Sequence, residues 1–68
     1  MLNKSNQLIL YGDITEDLID RITFRVAAST NRYLILYDKS SVQINFFNMP
    51  AHYHMVIEDI NGIFSSNN

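Results

Sequence analysis

Apolar positions fall into five blocks along the chain. Gln7 to Tyr11 (QLILY) and Tyr33 to Tyr37 (YLILY) are short unbroken apolar runs, the first closed by Gly12-Asp13 and the second by Asp38-Lys39-Ser40-Ser41. Runs of that length ending in turn residues predict buried strands rather than helix fragments. From Val42 to Phe47 the pattern changes: Val42, Ile44 and Phe46 alternate with Gln43 and Asn45, as on a strand with one wet face. A four-residue connection of turn composition between the second and third runs predicts an antiparallel hairpin.

Between the first two runs lies a well-marked helix. Thr15 stands where an N-cap would, and Ile14 and Ile19 occupy the two positions of a hydrophobic staple. Glu16 and Asp17 put negative charge at the positive end of the helix dipole, and Arg21 and Arg25 lie toward the other end, with Asp17 and Arg21 at pairing distance in sequence. Leu18, Ile19, Ile22 and Val26 form one stripe, Phe24 points nearly opposite, and the helix should fade near Ala28 to Asn31. Two strands joined through a helix suggest a parallel crossover.

The last third carries two conflicting signals. Asn61-Gly62 between isoleucines is a hairpin signal, and His52, Tyr53, Val56 and Ile57 favour strand by propensity. Met49, Tyr53, Val56, Ile57, Ile60, Ile63 and Phe64 instead fall on one helical stripe. Periodicity over that many residues predicts a helix, capped by Asn48 or Met49, with Pro50 in its first turn and Gly62 as a left-handed end. The expected architecture is a single α+β domain over 1–68, a small three-stranded mixed sheet with two helices in the order β-α-β-β-α, and frayed ends at 1–6 and 65–68.

Length sharpens this picture. A 68-residue chain buries only ~60% of the surface its unfolded form exposes, so its core is thin. There is no cysteine, which rules out disulfides, thiolate metal sites and thiol catalysis. Association or a non-cysteine ligand are the remedies left open. The formal net charge is −2, and the five Lys and Arg form no cluster of the kind a phosphate backbone requires. The start of the chain lacks the basic flank and long apolar core of a signal peptide, and no run approaches a membrane span, so a cytoplasmic location is expected by default. Nine Ile and eight Asn, with little Pro or Gly, hint at an AT-rich genome such as many phages carry.

Candidate chemistry is sparse. His52, His54 and Glu58 are the residues most like ligands, and with Asp38 they define the alternative of a small metal-dependent or hydrolytic enzyme. On a helix, however, His52 and His54 diverge and only His54 and Glu58 are adjacent, whereas a zinc site needs three or four ligands. Exposed polar residues on an outer helix face account for them as well. No G-x-S-x-G accompanies Ser40, Ser41 and Asp59, and a lone Gly12 near the first strand–helix junction cannot make a phosphate loop. No cofactor is expected.

LILYGDITEDLIDRITFRV followed by YLILYDKSS, roughly residues 8 to 41, resembles the opening strand, helix and strand of Clp-type serine proteases and their phage prohead relatives. In that family the second strand leads into a Pro-Gly-Gly segment that helps bind substrate. Here Asp38-Lys39-Ser40-Ser41 stands in its place, and the nucleophile and histidine have no counterpart. The resemblance implies a non-catalytic remnant or mimic.

The aromatic strands point to binding. Two helices on one side of a small sheet would leave large apolar side chains uncovered on the other, and such a patch marks an interface. Leu8, Leu10, Leu34 and Leu36 would face the helices and Ile9, Tyr11, Tyr33, Ile35 and Tyr37 outward, or the reverse; the interface candidates are Tyr11, Tyr33, Ile35 and Tyr37, extended by Phe24. The arrangement competing with this is a three-layer monomer with one helix on each face. The function expected is a non-enzymatic protein-binding module: a homodimeric inhibitor, adaptor or accessory factor, plausibly phage-encoded, dimerising by the sheet face or the edge of the third strand. Stacking of single-stranded nucleic acid on the aromatic strands is a further alternative, without the basic groove that normally accompanies it.

Overall fold

The computed structural model describes residues 6–66. Its elements are β1 (Gln7–Tyr11), α1 (Glu16–Ala27), β2 (Tyr33–Tyr37), β3 (Ser41–Phe46) and α2 (Tyr53–Ser66), which is the expected α+β order. The sheet order is β1-β3-β2, with β3 antiparallel to both neighbours. The sheet is therefore antiparallel rather than mixed. β1 and β2 do run in the same direction, but the crossover through α1 leaves room for one strand, and β3 fills it. The reason lies in β3 itself: Val42, Ile44 and Phe46 are each fully buried, and the central position supplies a neighbour on both sides. With both its edges paired, β3 has no free edge for a second chain.

Helix α1 is built as its sequence requires. Thr15 is extended (φ −115°, ψ 161°) and its hydroxyl oxygen accepts from the Leu18 amide at 3.1 Å. Ile19 is buried in the core and Ile14 packs against it. The helix ends at Ala27, with Ala28, Ser29 and Thr30 amides donating to the Phe24 and Val26 carbonyls. Its buried residues, Leu18, Ile19, Ile22 and Val26, are the stripe the periodicity gives.

Helix α2 also forms, in place of a hairpin, but its ends differ from expectation. It starts at Tyr53, with Pro50 outside it rather than in a first turn capped by Asn48 or Met49, and Met49 is exposed. The extended backbone that proline imposes on Met49 suits a cap, so the later start comes from His52, whose left-handed backbone interrupts a helix running from Pro50. His52 then sits at φ 56° and its carbonyl accepts the Val56 amide at 3.0 Å, making it the first half-helical residue. Gly62 lies inside α2 rather than closing it, and the helix continues through Ser65 and Ser66, where a frayed tail was expected. The remaining expected loose ends, 1–5 and 67–68, lie outside the described residues.

Both helices cover the same side of the sheet. One cluster joins the α1 stripe, Val56 and Ile60 of α2, and Val42, Ile44 and Phe46, all from one face of β3. The Arg25 Nε donates to the Asp59 carboxylate at 2.8 Å, tying the helices together on the outside, and Tyr53 meets the Phe46 ring edge-on at 5.8 Å. The architecture is thus two layers, not three.

Candidate functional site

Register decides what lies on the uncovered face. Leu8 is opposite Ile44 and Leu10 opposite Val42 on one side of β3; Ile35 is opposite Ile44, Tyr37 opposite Val42 and Tyr33 opposite Phe46 on the other. Directly paired residues share a face, so these five line the helix side with the core. The open face carries the alternate set: Gln7, Asn45 and Leu34 in one row, Ile9, Gln43 and Leu36 in the next, then Tyr11 beside Ser41.

The expected interface residues therefore separate. Tyr11 is on the open face and 75% exposed. Tyr33 and Ile35 are half-buried against the core, and Tyr37, although exposed, belongs to the helix side. The leucines of the two outer strands do not share a face: those of β1 point to the helices and those of β2 away from them. Ile9 lies on the open face beside Tyr11, as grouped in the sequence, whereas Leu34 and Leu36 join them there instead of sharing a face with Leu8 and Leu10, and Leu36 is 52% exposed. Phe24, 79% exposed, lies elsewhere, lining an open groove of about 390 Å³ between α1 and α2 with Asp20, Arg21, Arg25 and Ile63.

Down the middle of the open face runs a polar lane. Asn45 Oδ1 accepts from Gln7 Nε2 at 2.9 Å and from Gln43 Nε2 at 3.2 Å, while its Nδ2 donates to the Leu34 carbonyl at 3.3 Å. These bonds let Asn45 be only 2% exposed on the face that neither helix covers, since each polar atom has a partner. None of these eight side chains is charged at neutral pH, but the Asp38 carboxylate borders the face, accepting from the Ser41 hydroxyl at 3.3 Å. Of the exposed acids, Glu16, Asp17, Asp20, Glu58 and Asp59 are on the helices, whereas Asp13 follows β1 and Asp38 is in the β2–β3 turn.

The residues of the catalytic alternative are not brought together. His52 precedes α2 at the Phe46 end of β3, whereas Asp38 belongs to the turn before β3, so roughly 17 Å of strand separates them. His54 turns its ring to Tyr53, with centroids 5.9 Å apart. Among the described residues no group of three His, Asp or Glu side chains is placed to hold a metal ion. Asp38 instead builds the β2–β3 turn: its Oδ1 accepts from the Ser40 and Ser41 amides at 2.8 and 2.9 Å and from both hydroxyls. The Ser40 amide, chiefly, holds the Asp38 carboxyl below its usual range. The turn also braces the entry to α1, accepting the Gly12 and Ile14 amides on the Ser40 and Lys39 carbonyls. Of the aromatic residues proposed to stack bases, only Tyr11 is on the open face.

Among the described residues no helix is long and apolar enough to cross a membrane. Comparison with protein-family models, with curated proteins and with solved structures yields no match.

Proposed function

We propose that this chain is a non-enzymatic protein-binding module that works by covering the open face of its sheet with another protein chain, in the first place its own. The supporting observation is the exposure of Ile9, Tyr11, Leu34 and Leu36 on the one face that neither helix reaches. Each of these side chains stands to gain on the order of 1 kcal/mol from completing its burial, which matters in a domain of this size. The separation of His52 and His54 from Asp38 favours binding over hydrolysis as the role of this surface. An inhibitor, adaptor or accessory factor would act this way, and the likeness of its opening segment to Clp-type proteases suits a mimic that occupies a surface without catalysing.

Amide NMR spectra over a dilution series test the reading. Signals from Ile9, Tyr11, Leu34 and Leu36 should shift together as the concentration rises, with those of Glu58 and Asp20 fixed. Spectra that stay constant up to high micromolar concentration, with a relaxation-derived mass of one chain, would overturn it.

A further inference from the structure

The sheet ends in two strand edges, and the outer edge of β2 is complementary to itself. The Arg32 carbonyl accepts the Phe47 amide at 2.9 Å and the Asp38 amide donates to the Ser41 carbonyl at 3.0 Å, so residues 32 and 38 turn main-chain groups toward β3. Direction alternates along an antiparallel ladder, so Leu34 and Leu36 do the same, while Tyr33, Ile35 and Tyr37 point their N–H and C=O groups outward. Among the described residues no main chain pairs with that outward row. Edge strands are normally guarded by a charge or a proline, and Tyr33 to Tyr37 contains neither.

The strand reads YLILY in either direction. Laid antiparallel on a copy about Ile35, it sets Ile35 against Ile35, Tyr33 against Tyr37 and Leu34 against Leu36. In that register the outward-pointing residues of the two chains face one another, so each outward N–H meets an outward C=O. The same register places Arg32 opposite Asp38 at both ends, on the side of Leu34 and Leu36. Both residues are exposed. The Arg32 guanidinium has no partner among the described residues, and the turn bonds of Asp38 all fall on Oδ1, leaving Oδ2 for a cation. The other edge lacks this match, because a copy of β1 turned about Ile9 sets Gln7 against Tyr11.

We infer that two copies of this chain join edge to edge, β2 antiparallel to β2 about a twofold axis at Ile35, so that their sheets become continuous. The contact is isologous, and the pairs of Arg32 with Asp38 fix its register. It is separate from the open face, and either contact forms without the other. A pairing of five residues a side buries well under the roughly 1,200 Å² of a standard interface, so the edges join only at millimolar concentration.

Amide hydrogen exchange followed by NMR tests this. The amides of Tyr33, Ile35 and Tyr37 should exchange quickly in dilute solution and at least twofold more slowly at millimolar concentration, whereas those of Leu34 and Leu36, bonded to β3, stay slow throughout. Arg32→Glu sets like charges opposite each other at both ends and should abolish the slowing, with circular dichroism confirming the fold. Outward amides of β2 that exchange quickly at every concentration, or slowly even when dilute, would overturn the edge pairing. So would slowing that survives Arg32→Glu, or that falls on Ile9 and Tyr11 of β1 instead. Chemical-shift changes at Ile9 and Tyr11, on the far edge, report the open face rather than β2, so the two proposals fail separately.

Discussion

Tyr37 stands directly opposite Val42 across the β2–β3 ladder, on the side the helices cover, while its neighbour Leu36 points to the open face. The two are almost equally exposed, 51% and 52%. A description based on exposure alone would treat them alike; the two-layer account does not. Leu36→Asp should raise the dissociation constant of the self-associated form by at least tenfold, whereas Tyr37→Asp should leave it within about threefold of native. Analytical ultracentrifugation of both variants, after circular dichroism has shown each to be folded, measures this. Equal effects would remove the distinction between the faces.

That relationship also shows what was legible in the sequence. A four-residue connection pairs Tyr37 with Val42, and the alternation of Val42, Ile44 and Phe46 with Gln43 and Asn45 marks which side of β3 is apolar. Together these already place Tyr33, Ile35 and Tyr37 with the core, so the parity of β2 could have been read. The parity of β1 could not, because it depends on β1 pairing with β3 rather than β2, a choice made by long-range packing. Thr15, Ile14 and the α1 stripe were readable because capping and periodicity are local. The start of α2 lies later than the apolar period suggests because His52 holds a left-handed backbone just before it.

Ile44 lies at the centre of the sheet, fully buried, with Leu8 and Ile35 on either side. Ile44→Ala should cost about 3 kcal/mol, the usual penalty for removing three buried carbons and leaving a void. In so small a domain that removes much of the folded population. Urea titration followed by circular dichroism is the check, and a loss under 1 kcal/mol would mean that the core is less tightly formed than described.

Gly62 is inside α2, and nothing lies within 4 Å of where a Cβ would stand. Gly62→Ala should therefore raise stability by about 0.5–1 kcal/mol, through the lower backbone entropy of the unfolded chain. Were Gly62 a left-handed helix end instead, the same substitution would destabilise, so the sign of the change in urea midpoint discriminates between the two.

His52 holds a left-handed backbone conformation (φ 56°) just before α2. Asparagine tolerates that region better and also caps helices, so His52→Asn should stabilise by about 1 kcal/mol. For a domain of this length that corresponds to a rise of roughly 4–8 °C in Tm. An unchanged or lower Tm would show that the imidazole makes a contribution of its own.

Asp38 supplies the pH dependence. Its carboxyl is held below its ordinary value of 3.8, first by the Ser40 amide, because the ionised form accepts the turn's hydrogen bonds. A lowered folded-state value means that the contribution is complete above the unfolded value and is lost as pH falls through the folded one. The gap in stability between the native chain and Asp38→Ala should therefore be largest near neutral pH and narrow below about pH 4. Urea midpoints measured across that interval test this, and a gap independent of pH would contradict it.

Sedimentation equilibrium of the native chain addresses the central claim most directly. Because the uncovered face is small, the chain should shift reversibly from one to two copies as concentration rises through the micromolar range. A single-chain mass at every concentration up to the high micromolar would contradict the account, because it would mean that Ile9, Tyr11, Leu34 and Leu36 remain in water without a partner copy.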